Sequence, residues 1–256
     1  MNDLLAEHTR GLVEFASAYR RGSEQDLHCI DLKIDHSLRV LGLAQDIAAS
    51  LALEEDRKRE VLLAALYHDI GRFPQYDEYK TFHDADSVNH AALGVKCLRG
   101  GDFLRELPTG EQRTIRAAVM LHNRRALPQG ISEHTRLAAW VVRDADKLDI
   151  MRVMLEHLGR QGKENGVVML KARDEPESHT ESIRRQVLGG SPGDYKDLQF
   201  VNDFIMLLCG WTHGLRLGRS RELLRERAYI PSLLGFLPRN PAMAEFRSAF
   251  SQYCGE

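Results

Sequence analysis

The chain has no surplus of charge: Lys+Arg 35 against Asp+Glu 37 leaves a net of −2 over 256 residues. No basic field therefore marks nucleic acid as a partner. No apolar run has the length of a membrane span, so no membrane partner is expected. The first residues, Met1-Asn2-Asp3-Leu4-Leu5-Ala6-Glu7-His8, carry acids where an export signal carries lysines. Cysteines are few and scattered (Cys29, Cys97, Cys209 and Cys254), with no Cys-x-x-Cys pair. That excludes a disulfide frame or zinc knuckle and suits reduced thiols. Internal repeats and low-complexity tracts are also lacking. These absences leave a cytoplasmic protein with enough chain to bury a sizeable core.

What is present is helical periodicity almost throughout. Residues 3–20 place Leu4, Leu5, Leu12, Phe15 and Ala16 at mostly helical spacing, and Arg20-Arg21-Gly22-Ser23 breaks the pattern. A second helix is expected from near Asp31 to about Leu51, with Leu32, His36, Val40, Leu43, Ala44, Ile47 and Leu51 on one stripe. Glu54-Glu55-Asp56 open a third, at the end where the helix dipole favours acids. It runs through Leu62-Leu63-Ala64-Ala65-Leu66-Tyr67, apolar on nearly every side, and ends in His68-Asp69 just before Gly71. Pro74 predicts a long polar and aromatic loop over 71–86, and Asp86 or Ser87 a cap for a helix carrying His90, Leu93, Gly94 and Cys97. Further helices are expected from about Pro108 to Arg124, with His122 in line with Ile115, Ala118 and Val119, and from Thr135 to Leu158.

Beyond Gly159 the character changes. The stretch Gly162 to Gly193 is rich in glycine and charge, with a short helix at 178–188, and helical patterns follow at 195–226 and 241–253. The expected class is all-α: a helical core over residues 1–158 and a C-terminal helical extension, 159–256, packed on it. Phe200, Phe204, Trp211, Phe236 and Phe246 read as core and cover of that extension, and His213 as structural.

A buried imidazole or carboxylate is unfavourable unless it is paired or bound to a metal. Here His36, His68, His90 and His122 all lie on core-facing stripes of different helices, and Asp69 adjoins one of them. Histidines and acids facing each other across a bundle are how helical proteins build metal sites. A further acid stands in Arg143-Asp144-Ala145-Asp146-Lys147-Leu148-Asp149. Residues two apart point about 200° apart, so Asp144 and Asp146 cannot both reach one centre, and periodicity does not choose between them.

Three segments together resemble the HD-domain family of metal-dependent phosphohydrolases: His36 in Asp35-His36-Ser37-Leu38-Arg39-Val40, the doublet in Tyr67-His68-Asp69-Ile70-Gly71-Arg72, and Ala145-Asp146-Lys147-Leu148-Asp149. The resemblance covers about residues 30–155 and implies an HD-domain helical bundle with metal ligands His36, His68, Asp69 and Asp146. It also implies that His90 and His122 can hold a second ion, with Asp69 bridging. The segment Asn123-Arg124-Arg125-Ala126-Leu127-Pro128 stands where the cyclic-dinucleotide phosphodiesterases of the family carry Gly-Tyr-Pro, so that activity is not expected.

Imidazoles with carboxylates suit one or two ions of Mn, Fe, Co, Ni or Zn. The expected reaction is hydrolysis of a small phosphomonoester or phosphodiester, nucleotide-like, by metal-activated water. His68 and Asp69 would be catalytic together with Arg72 and Lys147, the latter two also contacting phosphate. Arg39 and His83, and at a lower rank Arg143, are further substrate-contact candidates. The alternatives are a di-iron oxygenase using the same ligands and a non-catalytic metal- or nucleotide-binding regulator. A homo-oligomer is compatible with the sequence.

Overall fold

In the computed structural model, which describes residues 1–159 and 172–253, the elements are helices and short 3-10 turns, with one isolated bridge between Arg173 and Phe200. The fold is all-α, and among the described residues no helix is long and apolar enough to cross a membrane. The chain divides into two compact units, Met1–Asp149 and Ile150–Glu256.

The first unit is built around α3 (Glu55–Tyr67), whose residues from Glu60 to Tyr67 are all buried. Packed on it are α1 (Asn2–Ser17), α2 (Glu24–Ala49) and α6 (Thr109–Leu121); α4 (Arg72–Tyr79) packs on α2 and on α5 (His90–Gly100), which packs on α6. The longest helix, α7 (Glu133–Gly159), contains the point at which the units divide.

Sequence expectation and structure differ in instructive places. The second helix starts at Glu24, not near Asp31, because Ser23 and Asp26 cap it reciprocally: Ser23 Oγ accepts from Asp26 N at 3.2 Å, and Ser23 N donates to Asp26 Oδ2 at 2.9 Å. That puts Lys33 well inside the helix, three residues before His36. The expected 71–86 loop contains helix α4, with Pro74 in its first turn. The first amides of a helix have no intrahelical partner, so proline is harmless there. Helix α5 is capped by Asn89, whose side chain accepts from Ala92 N at 2.9 Å, and not by Asp86 or Ser87. Helix α6 stops at Leu121.

In the second unit α8 (Glu181–Leu188) packs on α9 (Val201–Gly210). Buried Asp203 ties the approach to both, accepting from Thr180 N (2.6 Å), Gln199 N (3.0 Å) and Phe200 N (2.9 Å). The pattern at 195–226 is two helices, α9 and α10 (Gly218–Glu226), separated by a 3-10 turn. Helix α11 (Tyr229–Phe236) was not anticipated, and α12 (Pro241–Ala249) ends before a 3-10 turn. Phe204 and Phe246 are buried while Phe236 is exposed, and His213 Nε2 contacts the Val187 carbonyl at 3.1 Å. Residues 162–171 of the expected glycine- and charge-rich stretch lie outside the described residues.

Gly71 is where the first unit closes on itself. A Cβ there would lie 2.2 Å from the His90 carbonyl and 2.5 Å from Gly94 N, so only glycine lets the turn after the doublet touch the start of α5. Gly71→Ala should destabilise the protein by about 3 kcal/mol. By contrast Gly42→Ala, on an exposed part of α2 with nothing within 4 Å, should be neutral or stabilising by up to about 1 kcal/mol. Thermal melts of the two variants compare them directly; equal melting temperatures would refute the close-approach role.

Candidate metal centre

Four histidines reach one place from four helices by two devices. His68 and His122 each cap the C-terminus of a helix, α3 and α6. Each ring meets the carbonyl three residues back through Nδ1, Ala65 O and Val119 O, at 2.7 Å in both cases. His36 on α2 and His90 at the start of α5 meet carboxylates instead, Asp149 Oδ2 and Asp84 Oδ2, again at 2.7 Å. Carbonyl and carboxylate oxygens only accept, so each ring carries its proton on Nδ1 and donates it outward. The four Nε2 atoms therefore face inward, 3.2 Å apart for His36 and His68 and 3.0 Å apart for His90 and His122.

Asp69 lies between the two pairs. Its Oδ2 is 3.7 Å from His36 Nε2 and 3.8 Å from His68 Nε2, and its Oδ1 is 3.4 Å from His90 Nε2 and 3.7 Å from His122 Nε2. Asp146 Oδ1 faces the first pair, 3.1 Å from His36 Nε2 and 3.6 Å from His68 Nε2. The periodicity of α7 leaves Asp144 and Asp146 open; the approach to the histidines is made by Asp146. His36, His68 and Asp69, and again Asp69, His90 and His122, form sets whose ligand atoms all lie within 4.8 Å of one another.

The electrostatics keep this set ready to bind cations. Burial pushes the Asp69 carboxyl up, but Lys33, His68 and Arg72 outweigh it and hold the group well below the usual carboxylate range. Asp146 is likewise buried, and His36 and His68 hold it well below that range. Burial and the nearby Arg72 guanidinium push His90 down to about 4, so its ring is neutral at physiological pH despite Asp84. At His36 burial and Lys33 act to lower the pKa, but Asp146 and Asp149 outweigh them and hold it above the ordinary value.

The expected substrate contacts are placed as follows. Arg72 Nη1 donates to Gln75 Oε1 (2.9 Å), Asp84 Oδ1 (3.0 Å) and the Phe82 carbonyl, while its Nε points at Asp69 Oδ1 from 3.4 Å. Arg39 Nε donates to Asp149 Oδ1 at 2.9 Å. Arg143 donates to carbonyls of Leu121 and His122, fixing the end of α6. Lys147 is half-buried beside Asp146, and His83 is exposed, 3.1 Å from Asp86.

Three contributors were missed. Lys33 Nζ lies 2.8 Å from Asp69 Oδ2; its signal is the three-residue spacing from His36 on one helix. Asp149 has the same spacing from Asp146. Asp84 sits in a 3-10 turn, where no periodicity points to it.

A buried set of imidazoles and carboxylates on a helical bundle fits a divalent-metal centre, and the donor types suit a transition ion. Residues 34–151 match the family model described as HD domain, so the chain carries an HD domain over the stretch that supplies all six donors. HD-domain proteins bind divalent metals and are for the most part metal-dependent hydrolases. No curated protein and no solved structure matches the chain.

Asp149→Asn should weaken metal binding about 10- to 100-fold through loss of the carboxylate that orients His36. Asp146→Ala should weaken it further, and more than Asp144→Ala does. Calorimetric titration with Mn2+ measures all three; a stronger effect at Asp144 would put the ligand on the other face of α7.

Proposed function

We propose that the protein is a cytoplasmic metal-dependent phosphohydrolase acting on a small phosphate ester, a nucleotide or a related monoester or diester. The observation that carries this reading is Asp69, one oxygen toward each histidine pair. In this reading His36, His68, Asp69 and Asp146 hold one ion, and His90, His122 and Asp69 hold a second. When bound, such ions supply Lewis acidity, make water nucleophilic near neutral pH and neutralise charge developing at phosphorus.

The chain's own residues do the remaining work. Asp149 and Asp84 keep the rings of His36 and His90 aimed inward, as the Ala65 and Val119 carbonyls do for His68 and His122. Buried side chains of α3 wall the centre off from bulk water on one side. Charge favours an anionic substrate. Two divalent ions outweigh Asp69 and Asp146, and Arg72 and Arg39 are matched by Asp84 and Asp149, which leaves Lys33 as added positive charge. Substrate contacts by Arg72, Lys147, Arg39 and His83 belong to the same proposal.

A second reading, a di-iron oxygenase, is supported by the two three-residue ligand sets that share one carboxylate. One experiment separates them. Protein reconstituted with Mn2+, Fe2+, Co2+, Ni2+ or Zn2+ is assayed on p-nitrophenyl phosphate, bis(p-nitrophenyl) phosphate and a nucleotide panel, with oxygen uptake recorded. Metal-dependent hydrolysis, reduced at least about a thousandfold by Asp69→Ala, is expected. Absence of hydrolysis with every metal, or iron-dependent oxygen uptake, would refute the phosphohydrolase.

A further inference from the structure

Two cations grip Asp69, one on each oxygen, and their surroundings differ. Arg72 is anchored: Gln75, Asp84 and the Phe82 carbonyl take its Nη1, so the guanidinium has fixed partners besides Asp69. Lys33 has Asp69 Oδ2 as its ion-pair partner, 2.8 Å away, and the face of Phe82, 5.2 Å from Nζ to the ring centroid. Lys33 also holds the oxygen that looks toward His36 and His68, where the first ion would be bound.

The exposure of the side chains separates the buried donors from the groups that reach solvent. His36, His68, Asp69, His90 and His122 are 4 % exposed or less, whereas Asp146 is 18 % and Lys33 16 % exposed. Lys33, like Asp146, thus reaches solvent beside the His36–His68 pair. A divalent cation beside Asp69 Oδ2 neutralises the carboxylate and repels the ammonium. A half-buried ammonium then needs another anion. Its flexible four-carbon stem lets Nζ turn toward one without moving α2, and the Phe82 ring gives the charge a favourable face at the mouth.

We propose that Lys33 is a substrate-binding residue that exchanges Asp69 for the anionic group of the substrate when metal is bound. Lys33 therefore opposes metal entry and then favours the phosphate, so that an anion is held tightly only by the metal-loaded protein. This rests on the metal-dependent phosphohydrolase reading and adds the residue that recognises the anion.

The test uses the full chain, wild type and Lys33→Met, titrated calorimetrically with Mn2+ alone and then, Mn2+-loaded, with inorganic phosphate. Lys33→Gln is run in parallel, because its amide still donates to Asp69 and guards against a misfolded Lys33→Met. Expected are an Mn2+ affinity equal to or above wild type in both variants and phosphate binding weakened about 10- to 100-fold. Unchanged phosphate affinity in the variants, or weaker Mn2+ binding by Lys33→Gln, would overturn the proposal and make Lys33 a support for Asp69. Wild type that binds Mn2+ but not phosphate overturns it too and leaves the metal centre standing. Wild type that binds no Mn2+ removes the centre itself.

Discussion

The first unit depends on one carboxylate kept ionised where burial alone would protonate it. Asp69 is 3 % exposed, and an isolated charge so deep would be lost or would unfold the site. Around it the chain assembles two inward-facing imidazole pairs, Lys33 and Arg72. Those partners come from five helices. Helix α2 brings Lys33 and His36, the ends of α3 and α6 bring His68 and His122, and the starts of α4 and α5 bring Arg72 and His90. The Gly71 turn belongs to the same arrangement, since its contact with the α5 backbone sets His90 beside the doublet.

The histidines are usable as ligands because their other nitrogens are occupied. Two devices do this, a backbone carbonyl at a helix end and a carboxylate from elsewhere in the chain, and each appears twice. Ring orientation at His68 and His122 is thus local and set by the helix terminus. At His36 it is long-range and depends on Asp149 of α7, and at His90 it depends on Asp84 in the turn six residues earlier. That difference separates the residues whose loss would leave the fold intact from those whose loss would turn a ligand away.

Much of this was legible in the sequence, and what was not has physical reasons. His36, His90 and His122 stood on apolar stripes and His68-Asp69 ended a buried helix, so their convergence followed from burying each stripe. The stripe of α7 could not choose between Asp144 and Asp146, because both acids are near buried neighbours; resemblance to the HD family named Asp146. Lys33 lies inside the expected second helix but is not adjacent in sequence to a ligand, as Arg72 and Lys147 nearly or directly are, and only the folded chain brings it to Asp69. Asp84 carries no sequence signal because a 3-10 turn has no periodic pattern, and its neighbour His83 is exposed. Pro74 was read as a helix breaker when its position in a first turn makes it compatible with one.

The central claim is that the two histidine pairs and their shared carboxylate hold metal. Elemental analysis of the chain, purified without chelator or histidine tag and then reconstituted, tests it most directly. The account predicts two divalent ions per chain in the wild type and one in His122→Ala. A wild-type chain without bound metal after reconstitution, or a His122→Ala variant that keeps both ions, would contradict it.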